Sequence, residues 1–147
     1  MQARIRIKRV GAVEVPLPKY QTSGAAGMDL CAALSEPMEL RPGQRQLIPT
    51  GLCLEIEPGF EGQVRPRSGL ALRHGLTVLN TPGTVDADYR GEVGILLINH
   101  GPSAVEIKPL DRIAQLVIAP VVSVQVELCT VLSDSSRDTG GYGSTGR

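Results

Sequence analysis

Pairs of proline and glycine interrupt the chain at several points and separate short runs of apolar residues. The pairs are Pro42-Gly43, Pro58-Gly59, Pro82-Gly83 and Gly101-Pro102. Each pair favours a tight turn, because proline fixes one backbone dihedral and glycine tolerates positive φ. A chain of 147 residues divided in this way is expected to form one domain of many short strands. The pattern predicts an all-β fold, either a β-sandwich or a jelly roll.

The runs between the turns have the periodicity of β-strands. Arg4–Lys8 and Leu52–Ile56 alternate polar and apolar residues, which predicts half-buried strands. Gly94–Asn99 and Ile113–Leu132 are rich in Val, Ile and Leu and predict longer, more buried strands. Only Ser68–His74 favours a helix, with its serine as the predicted N-cap.

The C-terminal residues differ from the rest of the chain. Residues 133–147 have no apolar period and contain Gly140, Gly141, Gly143 and Gly146. Such a segment buries little apolar surface and is predicted to be mobile. We therefore divide the chain into a β domain, residues 1–132, and a glycine-rich arm, residues 133–147.

Composition excludes several classes of protein. Fifteen basic and fifteen acidic side chains balance, which argues against a broad nucleic-acid or membrane-binding field. Cys31, Cys53 and Cys129 are widely spaced and odd in number, so neither a zinc site nor a disulfide framework is expected. With no apolar segment of signal-peptide or membrane-spanning type, a soluble cytoplasmic protein is expected. One phenylalanine, three tyrosines and no tryptophan predict an aliphatic core, with some burial supplied by other copies of the chain.

The segment from Asn80 to Val93 concentrates chemically useful groups in one hairpin-sized stretch. Asn80 offers a donor and an acceptor to a planar base, and the turn at Gly83 exposes backbone amides. Tyr89 supplies a flat wall, and Asp86 supplies a base or a metal partner. An acidic β-hairpin turn without a ligand is the alternative interpretation, and the segment alone does not decide between them.

Two segments are candidates for binding phosphate. In Arg65–Ala71, Arg67, Ser68 and Gly69 stand at the start of the predicted helix, where free N–H groups favour an anion. The alternative is an ordinary capped helix with solvated arginines, which this segment taken alone slightly favours. In Arg137–Gly146, glycines and hydroxyls can wrap an anion. A flexible linker is the alternative there, and the missing Gly-Lys-Ser/Thr ending excludes a P-loop.

Two further polar residues lie in small-residue or apolar surroundings. Asp29 follows the turn Ala26-Gly27 and can face a metal hydration shell, although such an aspartate more often bonds to the backbone. Gln115 lies inside a predicted strand, either as a satisfied interior amide or as a ligand contact. Both histidines are expected at the surface.

Together these segments resemble the deoxyuridine triphosphatase (dUTPase) family of the trimeric all-β type. Five motifs occur in the family's order and span nearly the whole chain. They are Ala26-Gly-Met-Asp-Leu30, Arg65-Pro-Arg-Ser-Gly-Leu-Ala71, Gly83-Thr-Val-Asp-Ala-Asp-Tyr-Arg-Gly-Glu92, Arg112-Ile-Ala-Gln-Leu116 and Arg137-Asp-Thr-Gly-Gly-Tyr-Gly-Ser-Thr-Gly146. The last motif departs from the family pattern at Tyr142, where phenylalanine is common, and at Asp138, where glycine is common. Tyrosine keeps a stacking face, whereas Asp138 places a carboxylate beside Arg137.

The resemblance implies a jelly-roll subunit in a homotrimer whose active sites are assembled from three chains. The C-terminal arm would close over the site of a neighbouring subunit. The implied reaction converts dUTP and water to dUMP and pyrophosphate with Mg²⁺ on the triphosphate, supplying dUMP for thymidylate synthesis and limiting uracil in DNA. No nucleic-acid or membrane partner is implied.

The resemblance also implies a role for each matched residue. Asp86 would orient and deprotonate the water that attacks the α-phosphorus, and Asp29 would reach the metal through bound water. Tyr89 would pack beneath the deoxyribose and leave no room for a 2′-hydroxyl. The remaining substrate contacts implied are Arg67, Ser68, Gly69 and Gln115 for phosphate, Asn80, Gly83, Thr84 and Val85 for uracil, and Arg137, Tyr142, Gly143 and Ser144 for closure of the site.

Two other functions are compatible with the same fold. A dCTP deaminase needs a general acid/base for attack on the base ring and a site that accepts the cytosine amino group; the Gly83–Glu92 segment matches the triphosphatase pattern better. A non-catalytic nucleotide-binding trimer is expected to have lost Asp86 or the arm, and both are present in this sequence.

Overall fold

The computed structural model describes residues 3–143 of the chain, and these form two four-stranded antiparallel β-sheets, one two-stranded sheet and one short helix. The elements in order are β1 Ile5–Arg9, β2 Gly27–Cys31, β3 Met38–Leu40, β4 Arg45–Ile56, β5 Phe60–Arg65, α1 Ser68–His74, β6 Leu76–Val78, β7 Gly83–Val85, β8 Glu92–Asn99, β9 Val105–Ile107 and β10 Arg112–Pro120. One four-stranded sheet has the order β1-β4-β8-β6, the other has the order β2-β10-β5-β7, and β3 pairs with β9. The predicted all-β, jelly-roll-like fold with one short helix is confirmed.

The core lies between the two sheets and is aliphatic. Leu54 and Ile95 from the first sheet and Leu30, Val64 and Leu116 from the second belong to one buried cluster. The alternation in Leu52–Ile56 puts Leu52, Leu54 and Ile56 on this inner face, as the two-residue period of a strand requires. Phe60 is only partly buried against the cluster, so the prediction of a core without aromatic rings holds for the part of the chain that the structure describes.

The helix has the predicted bounds but a different cap. Arg67, not Ser68, occupies the N-cap position, and no side chain caps the helix there. Ser68 is the first helical residue, so the prediction of its capping role is wrong: its exposed hydroxyl is left for other partners. Gly75 ends the helix in the left-handed conformation, with φ of 68°. With seven residues, this single helix of residues 3–143 is much too short to cross a bilayer.

The predicted strand Ile113–Leu132 is correct only in its first part. β10 ends at Pro120, which pairs with Phe60 at the start of β5, and the following residues pair with no strand among residues 3–143. Neighbouring strands have no further length to pair with, and proline has no N–H for a ladder bond. The alternating Val122, Val124, Val126 and Leu128 are therefore 77% to 102% exposed. Their apolar side chains are not covered by any of residues 3–143.

The histidines are at the surface as predicted, since His74 and His100 are both exposed.

Candidate active site

The hairpin segment lines most of one cavity, which Leu47, Val64 and Val78 from other strands complete. Strand β7 and the residues on either side of it line a space of about 320 Å³, which includes Asn80, Gly83, Asp86 and Tyr89. A Cβ atom at Gly83 would lie 3.2 Å from Asn80 Nδ2, so the bare glycine lets the amide approach the backbone. The structure thus brings together the predicted base, sugar and water-activating residues, because they are close neighbours in the sequence.

A tight turn joins Asp86 to Tyr89. The Tyr89 amide donates to the Asp86 carbonyl at 3.2 Å, and Arg90 Nη1 donates to the Ala87 carbonyl at 2.7 Å. The Tyr89 hydroxyl donates to the backbone oxygen of Glu92 at 3.0 Å. Asp86 itself is exposed, so its carboxylate is available to a ligand or to water.

The second group of predicted residues surrounds the start of α1. Asp29, at the middle of β2, accepts from Arg67 Nε at 3.0 Å and from Arg112 Nη1 at 3.3 Å. Arg67 Nη1 also donates to the backbone oxygen of Arg112 at 2.9 Å. The carboxylate is 18% exposed, which makes it the most enclosed member of the cluster. Asp29 therefore fixes the direction of Arg67, a role that the sequence did not predict.

Gln115 and Gly69 complete this end of the site. Gln115 Nε2 donates to the Pro66 carbonyl at 2.9 Å, and its side-chain oxygen fills the space that a side chain at Gly27 would need. The amide thereby holds the backbone immediately before Arg67. At Gly69, a Cβ atom would lie 3.0 Å from Arg73 Nη2, so a further guanidinium lies over the first turn of the helix.

Arg112 and Arg73 were not predicted as site residues. Arg112 opens one of the motifs, but its contact is with a residue 83 positions away, which no local pattern reveals. Arg73 lies in the last turn of α1, where a basic residue ordinarily indicates only a favourable helix dipole.

The buried thiol of Cys31 borders the same cluster. Burial raises the pKa of Cys31 above its ordinary value, and the negative charge of Asp29 raises it further. Arg112 and Arg67 oppose this shift, but their effect is smaller.

One subunit does not bring Asp86 to the residues around the start of α1. Val85, the residue before Asp86, pairs with Gly62, whereas Arg65 pairs with Gln115. Three steps along β5 separate these two levels of the sheet, which corresponds to about 10 Å. Because β7 runs antiparallel to β5, Asp86 extends away from Arg67. The candidate base and the candidate phosphate-binding residues are thus at opposite ends of the same sheet.

The arm makes only local contacts in residues 133–143. Arg137 Nε donates to the Gly140 carbonyl at 2.7 Å, and the Asp138 amide donates to Ser135 Oγ at 3.0 Å. Tyr142 is fully exposed, and Gly143 is exposed beside it. The predicted contact Ser144 lies outside the described residues. None of the arm residues that are described touches the hairpin cavity or the Arg67 cluster.

Comparison with known proteins identifies the family. A family model described as dUTPase matches residues 13–146. The deoxyuridine 5′-triphosphate nucleotidohydrolase of Anaeromyxobacter sp. is 57% identical over 149 residues, covering 100% of both chains. The protein of the same name from Beijerinckia indica is 58% identical, covering 97% of this chain and 91% of its own. Among solved structures, the dUTPase of Staphylococcus bacteriophage 80alpha superimposes with a TM-score of 0.86 at 22% identity, covering 98% of this chain and 99% of that one. The chain therefore belongs to the dUTPase family.

Proposed function

We propose that the protein hydrolyses dUTP to dUMP and pyrophosphate by attack of water on the α-phosphorus. One observation carries this proposal: Asn80, the β7 backbone, Tyr89 and Asp86 line a single cavity. The names of the relatives, which are deoxyuridine triphosphate nucleotidohydrolases, support it. The dUTPase of phage 80alpha, with the same fold, has been solved with dUpNHpp.

The uracil ring is read by Asn80 and the backbone from Gly83 to Val85. An amide side chain and two or three fixed backbone groups match one pattern of donors and acceptors. Cytosine presents the opposite pattern at its amino group and would leave these groups unpaired, which is a strong basis for discrimination. Tyr89 forms the wall under the deoxyribose.

Asp86 orients the attacking water and accepts its proton. A carboxylate is a weak base for removing a proton from water. Most of the acceleration must therefore come from the alignment of water with the phosphorus and from stabilisation of the leaving pyrophosphate.

Arg67, Ser68, Gly69 and Gln115 hold the triphosphate. The guanidinium of Arg67 is directed by Asp29, the hydroxyl of Ser68 is free, and the first amides of α1 have no side-chain cap. These donors stabilise the charge that develops on the leaving group. Arg137, Tyr142, Gly143 and Ser144 then close over the substrate and exclude water.

The residues present fit Mg²⁺ only as an ion carried by the substrate. Among residues 3–143 no three metal-binding side chains form a cluster, and both oxygens of Asp29 already accept from arginine. Each carboxylate oxygen retains a lone pair for a bound water, as Mg²⁺ prefers. When bound, the ion neutralises phosphate charge and makes the phosphorus more electrophilic. A phage phi11 dUTPase of similar fold is described with a structural Mg(II) ion.

The separation within one subunit supports a homotrimer with shared sites. Asp86 and Arg67 lie at opposite ends of one sheet, so a complete site needs an Asp86-bearing cavity from one copy beside the Arg67 cluster of another. The exposed apolar residues 122–128 provide surface for such association. We assign residues 1–132 to the β domain and 133–147 to an arm that reaches a neighbouring subunit.

Cys31, Cys53 and Cys129 are free thiols, which favours a reducing cytoplasm.

The proposed reaction is tested by incubating purified protein with Mg²⁺ and either dUTP or dCTP, while pyrophosphate and ammonia are measured. We expect pyrophosphate to be released from dUTP, and neither pyrophosphate nor ammonia to be released from dCTP. Ammonia from dCTP would indicate a deaminase, and neither product would indicate a binding protein.

Light scattering is expected to give about three times the monomer mass, as for a closed cyclic assembly.

A further inference from the structure

The ring of Tyr89 is seated directly on Gly91. A Cβ atom added at Gly91 would overlap the Tyr89 hydroxyl and would lie only 2.9 Å from ring atom Cε2. Gly91 is not among the glycines with positive φ, so an L-residue can adopt its backbone conformation. What requires glycine at this position is therefore the ring above it and not the backbone.

The Tyr89 ring is held over Gly91 by a hydrogen bond to strand β8. The Tyr89 hydroxyl donates to the Glu92 carbonyl at 3.0 Å, and Glu92 pairs with Cys53 in the register of β8 with β4. The Glu92 carboxylate accepts from the amide of Gly51 at 2.8 Å, where β4 departs from regular pairing. The position of the hydroxyl is thus tied to two strands, although the ring itself is 46% exposed.

We propose that Gly91 is a specificity-determining residue that selects 2′-deoxyribonucleotides over ribonucleotides by positioning Tyr89. This inference rests on the proposed function, in which Tyr89 is the wall beneath the sugar. Carbon atoms in contact are normally at least about 3.5 Å apart. A methyl group at position 91 therefore displaces Cε2 by about 0.6 Å, given the 2.9 Å approach, and the hydroxyl by more. The hydroxyl then loses the Glu92 carbonyl, and the half-exposed ring turns toward solvent and leaves space for a 2′-hydroxyl.

The test compares kcat/KM for dUTP and for UTP in four proteins: wild type, Gly91→Ala, Tyr89→Ala and the double variant. Gly91→Ala is expected to lower the dUTP/UTP ratio by about tenfold or more, a typical effect of displacing a positioning group by a fraction of an ångström to 1 Å. In the Tyr89→Ala background the same substitution should change the ratio by less than about twofold, because residues that act through one another are not additive. Gly24→Ala is the matched control, since a Cβ atom there has no neighbour within 4 Å and the ratio should not change.

Each failure has its own signature. Wild-type protein that does not hydrolyse dUTP overturns the proposed function and this inference with it. Active wild type with an unchanged dUTP/UTP ratio in Gly91→Ala overturns the inference alone, as does an equal loss for both nucleotides. If Gly91→Ala does not fold, the double variant should recover the thermal midpoint of Tyr89→Ala, because the overlapping ring is gone. A double variant that remains unfolded overturns the seating of Tyr89 on Gly91.

Discussion

Replacing Asp29 with asparagine tests how the start of α1 is organised. The substitution keeps the shape of the side chain and removes its charge. The remaining carbonyl oxygen still accepts from Arg67 Nε, which lies 3.0 Å away in the wild type. The new NH2 group faces Arg112 instead, so two hydrogen-bond donors point at each other. The expected consequences are a small loss of stability and a large loss of activity.

The loss of stability follows from the two contacts. The Arg67 contact, with side chains 29% and 18% exposed, changes from a charge-assisted to a neutral hydrogen bond and loses about 1 kcal/mol. The Arg112 contact is 55% exposed on the arginine side and contributes about 1 kcal/mol or less. A total of about 1–2 kcal/mol lowers the thermal midpoint by about 2–8 °C in a chain of this size. Calorimetry of both proteins measures the difference.

The loss of activity follows from the direction of Arg67. Without a charged partner the guanidinium is held by a neutral hydrogen bond to residue 29 and by the Arg112 carbonyl, at 2.9 Å, so its orientation toward the triphosphate is less firmly fixed. A fall of kcat/KM for dUTP by about tenfold to a hundredfold is expected. If excess Mg²⁺ restores the rate, the main role of Asp29 is to hold the metal through bound water. If it does not, the main role is to direct Arg67.

Glu106→Gln is the matched control, because it removes an acidic partner of Lys108 at 3.5 Å in a pair that is 58% to 65% exposed. Its effect should be below about 0.5 kcal/mol, with kcat/KM unchanged. Asp29→Asn with the thermal midpoint and kcat/KM of this control would refute the assigned arrangement.

Three further predictions concern the base, the arm and the buried thiol. Asp86→Asn should bind dUTP almost normally and lose most of its kcat, and near-normal release of pyrophosphate would exclude Asp86 as the base. Deletion of Ser136–Arg147 should leave the circular dichroism spectrum of the β domain intact and abolish turnover; mixed trimers of this protein with Asp86→Asn, confirmed by native mass spectrometry, should regain activity if the arm acts in trans. The raised pKa of Cys31 means that the unfolded chain ionises this thiol first, so the stability that wild type gains over Cys31→Ala should be constant below about pH 8 and shrink as pH rises through the raised value. A difference in the free energy of unfolding that grows with pH would contradict this sign.

Features encoded by neighbouring residues were predictable from the sequence. The helix Ser68–His74 and the tight turn from Asp86 to Tyr89 depend on contacts over a few residues, which periodicity and turn chemistry reveal directly. The five motifs, taken in order, were enough to indicate the family, although no single one was specific.

Features that depend on strand register were decided only by the tertiary structure. The pairing of Asp29 with Arg67 and Arg112 joins β2 to the starts of α1 and β10, and no local pattern distinguishes it from an aspartate in an ordinary turn. The apolar run from Ile113 predicts one strand that continues to Leu132, but β10 ends at Pro120. A strand extends only as far as its neighbours offer hydrogen bonds. The same register separates Asp86 from Arg67 along the sheet. The sequence predicts which groups the site uses, whereas the antiparallel pairing of β5, β7 and β10 places Asp86 and Arg67 at opposite ends of the sheet within one subunit.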